Sequence, residues 1–405
     1  MLPEGFTSRV IGRTGEQVAG HTWHGAPDGG ACFADGDGWI YVSNSELENG
    51  EGGVSAVRFD SAGEITDAYP ILSGTERNCS GGPTPWNTWL SCEETDRGYV
   101  FEAVPWGAKE DKQHPAMGRF THEPAAADPD RKVVYLTEDE PDGCFYRFVP
   151  TTWEDMSAGT LQVLADDNGG LAWVDVPDSS AADRQTREQV AAAKPFDGGE
   201  GAYYSGGTCY FTAKGENRVY AYDAAANALN VAYAADETPD APLTGVDNIT
   251  GAAVGDLYVA EDGGNMEICL ITPEDVVAPF LRVQGQDESE LCGVAVQPGG
   301  RPAVLLLAAR HLGRQQRRHH LRDHRSVPDA LMTGGCPSRE GTPERSIMDR
   351  RNRSSTGAGR WRSVVSPVGN VIFSAVSRVP VPGPAGGDCC DATRWETGHR
   401  LDAAR

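Results

Sequence analysis

Residues 39–46 read WIYVSNSE, an aromatic and aliphatic strand that ends in polar residues and a glutamate. The pattern returns in four later segments: TWLSCEE (88–94), VVYLTEDE (133–140), TCYFTAKGE (208–216) and DLYVAEDGG (256–264). With Tyr41, Leu90, Tyr135, Tyr210 and Tyr258 taken as equivalent, the separations are 49, 45, 75 and 48 residues. Periods of about 40 to 50 residues, each with several short strands, are typical of a β-propeller. The repeat predicts an all-β, six-bladed propeller with five recognisable blades and a sixth due near residues 304–306.

The long third gap holds one blade and an insertion at about residues 151–200. Ala, Gln and Glu in SSAADRQTREQVAAAKP (179–195) favour a short helix there. The chain is long enough for a large core, and no apolar run approaches the roughly 20 residues that span a bilayer. We therefore expect a propeller over residues 1–300 and an atypical tail over residues 301–405.

The net charge of −24 is divided unevenly along the chain. Residues 301–405 hold 18 Arg, no Lys and 9 acidic residues, a net charge of +9, so residues 1–300 carry −33. An acidic body repels nucleic acid and anionic membranes, whereas clustered carboxylates attract hard cations such as calcium. We expect metal ions as partners, and neither nucleic acid nor membrane.

The tail does not continue the repeat where the sixth blade is due. It begins RPAVLLLAARHLGRQQRRHHLRDHR (301–325), whereas a one-base shift with GC-rich codons gives a strand, a Gly/Ser loop and a second strand. The charge reversal and the missing lysines agree with such a shift. We predict that the tail is frame-shifted and disordered, and that the chain as written is poorly soluble or inactive. A disordered basic tail and a nucleic-acid-binding arm are the alternatives.

Acidic residues end the repeated strands. The innermost strands of a propeller line one channel, so equivalent strand ends converge in space. Glu200 precedes the fourth repeated strand, and the strand ends supply Glu46, Glu93, Glu94, Glu138, Asp139, Glu140, Glu261 and Asp262. Crowded carboxylates raise one another's pKa unless cations neutralise them, and oxygen-rich clusters select calcium or magnesium and accept ferric iron. A solvated turn residue is the alternative for each acid taken alone.

Cys79 stands in RNCSGGPTPW (77–86), where glycines allow close backbone approach and prolines fix the loop. Such a loop can aim the thiolate; the alternative is a small buried hydrophobic residue, which is our interpretation of Cys92. HPAMGRFTHEP (114–124), with two histidines, Arg119 and Glu123, is interpreted as a structural crossing. The seven cysteines before residue 300 are odd in number and widely spaced, so they predict no disulfide framework.

Five segments together resemble the PhoX family of bacterial alkaline phosphatases, over about residues 3–300. They are RNCSGGPTPWNTWLSCEE (77–94), HPAMGRFTHEP (114–124), VVYLTEDEPDGCFYRFVP (133–150), GGEGAYYSGGTCYFTAKGENRVYAYD (198–223) and LYVAEDGG (257–264). The resemblance implies a six-bladed propeller whose channel holds two ferric ions, bridged by an oxo group, together with calcium.

The resemblance also implies roles for particular residues. Cys79, Glu94 and Glu138 correspond to iron ligands, and Glu261 to a bridging ligand. The remaining candidates, for calcium or for support of the ligands, are Glu93, Asp139, Glu200 and Asp262. The catalytic and substrate-binding side chains stay unknown, since a metal-bound oxygen would be the nucleophile.

The implied function is release of phosphate from phosphomonoesters by an exported, periplasmic or extracellular enzyme, which we expect to be a monomer. The first residues, MLPEGFTSRVIGRTGE (1–16), show no secretory signal. The family's SSQRG strand, whose Arg would contact phosphate, occurs only in the shifted frame, so we expect impaired activity from this chain. The alternative is a propeller that binds calcium or a partner without hydrolysis. Iron together with calcium would favour the phosphatase.

Overall fold

The computed structural model describes residues 2–4, 6–107, 112–285, 289–298, 305–311 and 371–377. Nearly all regular structure in these residues is β-strand joined by turns. The helices described are three single 3₁₀ turns, Pro115–Met117, Thr186–Glu188 and Ala235–Glu237. Within the described ranges, no helix has the length and apolar character needed to cross a membrane. The all-β class predicted from the sequence is confirmed.

The first repeat forms a four-stranded antiparallel sheet in chain order, β4-β5-β6-β7, preceded by a single strand and a two-stranded hairpin. Residues 39–45 of the quoted segment lie in β5, where all side chains are buried because the sheet is covered on both faces. The strands are β1 (Phe6–Arg13), β2 (Gln17–Val18), β3 (His21–Thr22), β4 (Pro27–Asp35), β5 (Gly38–Ser45), β6 (Gly52–Phe59) and β7 (Ile65–Thr75).

The second and third repeats are joined into one nine-stranded sheet. Its strands are β8 (Asn78–Pro83), β9 (Trp89–Gly98), β10 (Val100–Ala103), β11 (Lys112–Gln113), β12 (Phe120–Asp128), β13 (Val133–Glu138), β14 (Phe145–Thr152), β15 (Asp155–Asp167) and β16 (Gly170–Asp175). The junction is the pairing of β9 with β12, where Glu94 lies opposite Thr121. Backbone hydrogen bonds therefore hold these two repeats together.

The fourth and fifth repeats form separate four-stranded antiparallel sheets, each in chain order. The fourth contains β17 (Gly199–Ser205), β18 (Thr208–Ala213), β19 (Arg218–Asp223) and β20 (Ala228–Ala234). The fifth contains β21 (Val246–Gly251), β22 (Leu257–Glu261), β23 (Glu267–Ile271) and β24 (Val277–Arg282).

The last sheet has the order β25-β26-β27-β1, so the N-terminal strand is its outer strand. Its new members are β25 (Ser289–Val296), β26 (Leu305–His311) and β27 (Val371–Ser377). β26 begins at Leu305, where the repeat places a strand near residues 304–306. The two described segments of the tail, residues 305–311 and 371–377, are therefore strands, although the tail was predicted to be disordered. The rest of the tail lies outside the described residues, where the frame shift and disorder remain predictions.

The first strands of the six repeats form a closed ring. β4, β8, β12, β17 and β21 each contact the next first strand in the chain, ending at β25, and β25 contacts β4. Apolar side chains fill the space between neighbouring sheets; Tyr135 and Phe145 of the third repeat, for example, pack with Phe211 of the fourth. The ring brings the ends of all six first strands to one centre.

The insertion does not form the helix predicted for residues 179–195. It extends the nine-stranded sheet at its edge, and its later part contains a single 3₁₀ turn, Thr186–Glu188. The Asp178 carboxylate accepts the backbone N–H groups of Ser180 at 2.9 Å and Ala182 at 3.0 Å. These bonds form a turn at the start of the segment in place of the predicted helix.

Candidate metal centre

A β-bulge occurs at the same place in each of the six first strands. At each bulge, two residues of the first strand face one residue of the second strand, which redirects the first bulged side chain. The bulged pairs are Asp28–Gly29, Cys79–Ser80, Glu123–Pro124, Glu200–Gly201, Asp247–Asn248 and Gly293–Val294. Five of the six repeats thus present a carboxylate or a thiol at the equivalent position.

Pairing next to the bulges also shows which ends of the second strands are equivalent. Ser45, Glu93 and Glu261 pair with the residues just before the bulges of their repeats. In the third and fourth repeats the same position is held by Glu138 and Ala213. The next residue along the chain in the first five repeats is Glu46, Glu94, Asp139, Lys214 and Asp262, respectively. This register makes Val42, not Tyr41, the equivalent of Leu90, a one-residue correction to the alignment made from the sequence.

The bulged residues and the strand ends meet in one place. In each of four groups the possible ligand atoms lie within 4.8 Å of one another: Cys79, Glu94 and Glu123; Asp28, Glu46 and Cys79; Glu123, Asp139 and Glu200; Asp28, Glu290 and Cys292. The groups share members and are therefore continuous. We call these nine residues, together with Arg77, Lys214, Asp247 and Asp262, the central cluster.

Arg77 connects the first and second repeats within the central cluster. Its guanidinium donates to Glu46 Oε1 from Nη2 at 2.8 Å and from Nε at 3.1 Å, and Nη2 also donates to Glu94. The Glu46 side chain is fully buried and that of Glu94 is 14% exposed. Arg77 thus compensates two carboxylates that have little access to water.

Lys214 does the same between the fourth and fifth repeats. Its Nζ contacts Glu200 and lies 3.4 Å from Asp262 Oδ2 and 3.8 Å from Asp247 Oδ2. The central cluster contains nine carboxylates and two side-chain cations, so full ionisation of its acids would leave a net charge of −7. Full ionisation would need further positive charge, and without it some of these carboxylates hold protons.

Glu123 illustrates the cost of burying a negative charge in the central cluster. It is 1% exposed, and neither of its carboxylate oxygens has a hydrogen-bond partner. Burial raises its pKa well above the usual value, and the charges of Glu200 and Glu94 raise it further. A buried carboxylate without donors is costly unless a cation binds it. Carboxylates suit calcium, and a thiolate among carboxylates suits iron, so the donor set fits the metals that the resemblance implies.

Other members of the central cluster are perturbed in the same sense. Burial raises the pKa of Cys79 well above the usual value, and the charge of Asp28 contributes. Burial also raises the pKa of Glu94 and Glu200, and it raises that of Asp247 to about 6. These shifts oppose ionisation, whereas metal binding uses the ionised forms. Bound cations would counteract all of them.

Five of the eight metal ligands predicted from the sequence lie in the central cluster. These are Cys79, Glu94, Asp139, Glu200 and Asp262. The other three, Glu93, Glu138 and Glu261, each directly precede one of these residues. Successive side chains at a strand end point to opposite sides, so only one of two adjacent acids can face the centre.

The three outlying acids bind chain segments instead. Glu93 accepts the backbone N–H groups of Glu76 at 2.9 Å and Tyr99 at 3.0 Å. Glu261 accepts those of Thr244 at 3.0 Å and Glu267 at 2.9 Å. Glu261 also forms a separate group with Glu267 and Cys269, whose possible ligand atoms lie within 4.8 Å of one another, and no such group of described residues joins it to Cys79 as expected.

Glu138 is held by the insertion. Its carboxylate accepts hydrogen bonds from Arg187 Nη1 at 2.9 Å and from the Tyr146 hydroxyl at 2.7 Å. Burial raises its pKa to about 7, against the lowering effect of these two partners. The expected grouping of Glu138 with Cys79 is likewise not found, and the residue anchors the insertion to the third repeat.

Sequence reasoning missed several members of the central cluster. They are Asp28, Arg77, Lys214, Asp247, Glu290 and Cys292, and Glu123 was interpreted as part of a structural crossing. A usable signal exists in PDGG (27–30), HEPA (122–125), GEGA (199–202) and VDNI (246–249), where an acid is the second residue of each segment. That signal becomes visible once the first strands, rather than the second, are aligned.

The remaining residues singled out in the sequence make hydrogen bonds or apolar contacts that support the second and third repeats. His114 pairs with Glu102 at 3.0 Å, and Arg119 donates to the Arg97 carbonyl oxygen from Nη2 at 2.7 Å. His122 is buried and donates to the Gly118 carbonyl oxygen at 3.1 Å; burial lowers its pKa to about 3. Cys92 is fully buried in the apolar core of the second and third repeats.

A cavity of about 220 Å³ adjoins the central cluster. Its wall includes Ser80, Gly201 and Asn248, each of which directly follows a bulged residue of the cluster. Asn248 Nδ2 donates to Asp247 Oδ1 at 2.7 Å, which links the wall to the cluster. The described lining residues are uncharged, so the carboxylates of the central cluster do not line this cavity.

Several solved structures are similar to the chain. A luciferin-regenerating enzyme is 11% identical with a TM-score of 0.46, covering 92% of this chain and 95% of that one. A nidogen/laminin complex is 11% identical with a TM-score of 0.42, covering 67% and 88%. A gluconolactonase from Xanthomonas campestris is 14% identical with a TM-score of 0.40, covering 69% and 82%. Likenesses this weak carry no argument about activity.

A protein-family model matches the chain, whereas no curated protein does. The family model for alkaline phosphatase PhoX matches residues 50–100 and 95–232, which include Cys79, Glu94, Glu123, Asp139 and Glu200 of the central cluster. The resemblance seen in the sequence is thereby confirmed, and over residues 50–232 the chain matches the PhoX alkaline phosphatases.

Proposed function

We propose that the chain is a metal-dependent phosphomonoester hydrolase of the PhoX type, built as a six-bladed β-propeller. The family match supports the hydrolase class. The closed ring of six first strands, each with a bulge at the equivalent place, supports the blade count. The central cluster lies where the channel of such a propeller would be.

One observation carries the proposal: Glu123 is a buried carboxylate with no donor, placed between a thiol and further carboxylates. A fold gains nothing from such a group by itself, since an apolar side chain would be cheaper to bury. A cation converts the arrangement into a favourable one. The family is metal-dependent, and this site supplies donors of the appropriate kinds.

We assign the metal-binding role to the central cluster. Cys79 with Glu94 and Glu123 combines a soft donor with hard ones and is the proposed iron position. Glu123, Asp139 and Glu200 offer oxygen only and are the proposed calcium position, with Asp262 and Asp247 close by. Glu93, Glu138 and Glu261 support the turns around the site.

Bound iron and calcium would neutralise phosphoryl oxygens and stabilise the charge that develops at phosphorus. The chain's own residues orient the donors: the bulges redirect Cys79 and Glu123, and Arg77 fixes Glu94 by hydrogen bonding. An uncompensated negative cluster would repel a phosphate ester. We therefore expect chelation to abolish substrate binding as well as turnover.

The direct test measures metal content and phosphate release on the same preparation. We expect iron and calcium in the purified protein and hydrolysis of p-nitrophenyl phosphate that EDTA removes and added metals restore. The 405-residue chain and a chain corrected by one base near codons 298–310 are compared, with higher activity expected from the corrected chain. Two preparations that contain iron and calcium but release no phosphate would refute the hydrolase proposal.

The competing function is a propeller that binds calcium or a partner without hydrolysis. The all-oxygen group of Glu123, Asp139 and Glu200 is the observation in its favour. Calcium without iron, together with no phosphate release from either chain, would support it. Export and a monomeric state complete the main proposal, and cell fractionation with size-exclusion chromatography tests both.

A further inference from the structure

Two positively charged side chains belong to the central cluster, and each of them joins carboxylates of two neighbouring repeats. Arg77 joins the carboxylates of the first and second repeats, and Lys214 joins those of the fourth and fifth. In a ring of six first strands these two junctions lie on opposite sides. Each half of the cluster therefore has one cation of its own.

Arg77 is fixed by its main chain as well as by its side chain. Its N–H donates to the Leu47 carbonyl oxygen at 2.9 Å, and its carbonyl oxygen accepts the N–H of Glu94 at 2.9 Å. Its φ angle is +42°, a left-handed conformation that a residue with a side chain adopts at a cost. The backbone thus holds the guanidinium between Glu46 and Glu94 rather than letting it extend into water.

Lys214 is similarly restrained. Its N–H donates to the Gly198 carbonyl oxygen at 2.7 Å. The three carboxylate side chains around its ammonium are only 3% to 20% exposed. A buried acid whose only counter-charge is removed destabilises a protein strongly, whereas exposed pairs contribute little.

We propose that Arg77 and Lys214 are built-in counter-cations, positioning residues that keep the carboxylates of the central cluster in place until metal ions take over their neutralisation. This inference rests on the proposed metal-dependent function. It assigns to the chain a metal-free form that folds before loading. It also predicts that both residues matter for the stability of that form much more than for the loaded one.

The test compares thermal unfolding of Arg77→Met and Lys214→Met with wild type, after EDTA treatment and again after addition of calcium and iron salts. Loss of a cation that contacts two or three largely buried acids should lower the Tm of the stripped protein by roughly 5–10 °C. Added metals should reduce that difference to less than half. Arg77→Lys should recover part of the loss, since it keeps the charge but not the two-sided hydrogen bonding.

Arg218→Met is the matched control. Arg218 also pairs with two carboxylates, Asp236 at 3.0 Å and Glu237 at 3.1 Å, and its side chain is 23% exposed against 27% for Arg77. Its partners are 65% and 67% exposed, so we expect a Tm change below roughly 2 °C with or without metals. Arg77 and Arg218 are similarly exposed, so a difference between their variants reports on how deeply their carboxylate partners are buried.

Each result decides the inference. A Tm deficit that is equal with and without metals would overturn it, because Arg77 would then be an ordinary structural residue. No deficit in the stripped protein would overturn it as well. A variant that is soluble only when expressed with metals would support it. Failure of the proposed function is recognised separately: without metal binding, the Tm of wild-type protein would not respond to the salts, and without hydrolysis the loaded protein would release no phosphate.

Discussion

Glu102 and Glu123 are both buried glutamates, 6% and 1% exposed, in two regions with different tasks. Glu102 lies on an outer strand of the second repeat and accepts hydrogen bonds from Trp86, Thr88 and His114 at 2.8, 2.7 and 3.0 Å. Glu123 lies at the bulge of a first strand and accepts none. The glutamate side chain is a structural support in one region, whereas in the other its two carboxylate oxygens are acceptors without a hydrogen-bond partner.

The pKa values of the two glutamates move in opposite directions. Burial alone would raise the pKa of Glu102, but hydrogen bonds from His114, Thr88 and Trp86 outweigh it and lower the value to about 2. Burial and neighbouring carboxylates raise the pKa of Glu123 well above the usual value. Hydrogen-bond donors of the second repeat compensate the buried charge of Glu102, whereas no such donor reaches Glu123.

The largest effect is expected at Cys79, because its group with Glu94 and Glu123 contains no other thiol. Cys79→Ala should remove iron and lower phosphate release at least roughly 100-fold, because we propose its thiolate as the soft ligand of the iron position. The stripped protein should keep its β structure, since Cys79 lies at a bulge and not within a blade core. Metal analysis and circular dichroism check this. Equal iron in wild type and Cys79→Ala would remove the thiolate from the site.

The second-largest effect is expected at Glu102, whose buried carboxylate accepts three hydrogen bonds. Glu102→Gln should cost about 3 kcal/mol of stability at pH 7, because it leaves His114 with a weaker acceptor in a buried place. Metal content should not change. Urea unfolding at pH 7 measures the difference, and loss of metal from this variant would contradict the separation of the two regions.

The pH dependence of that difference follows from the lowered pKa of Glu102. Its contribution to stability is fully present above the ordinary value of 4.5 and is lost as pH falls toward 2. Wild type and Glu102→Gln should therefore converge as the pH is lowered through this window. A gap that stays constant from pH 5 to pH 2.5 would show that the ionised form of Glu102 is not what stabilises the fold.

Glu123→Gln should act in the opposite direction on the stripped protein. The neutral amide removes the cost of a buried carboxylate without donors, so we expect a gain of about 2 kcal/mol, together with weaker metal binding. Unfolding after EDTA treatment and a calcium titration measure the two effects. A loss of stability similar to that of Glu102→Gln would break the comparison.

The smallest effect is expected from the second cysteine of the opening motif. Cys92 is fully buried among apolar residues of the second and third repeats, and its thiol faces this core rather than the centre. Cys92→Ala should cost about 1 kcal/mol and leave metal content unchanged. Metal loss in this variant would mean that the core around β9 also shapes the site.

The fold was largely predictable from local pattern. Apolar runs that end in acids identified the second strand of five repeats. The insertion was not predicted in the same way: residues 179–195 favour a helix by propensity, but the segment forms a turn at Asp178 and a 3₁₀ turn at Thr186–Glu188. Propensity decides only where no side chain competes for the backbone.

The sequence by itself determined that the body is all-β, that it repeats, and that acids recur at the strand ends beside Cys79. Only the tertiary structure decided which acid of each adjacent pair faces the centre, so that Glu94 and Asp262 belong to the cluster and Glu93 and Glu261 hold turns. The reason is geometric: side chains alternate along a strand, and the bulge of each first strand sets the alternation. A bulge is a property of the pairing between two strands, so neither strand's sequence reveals it alone.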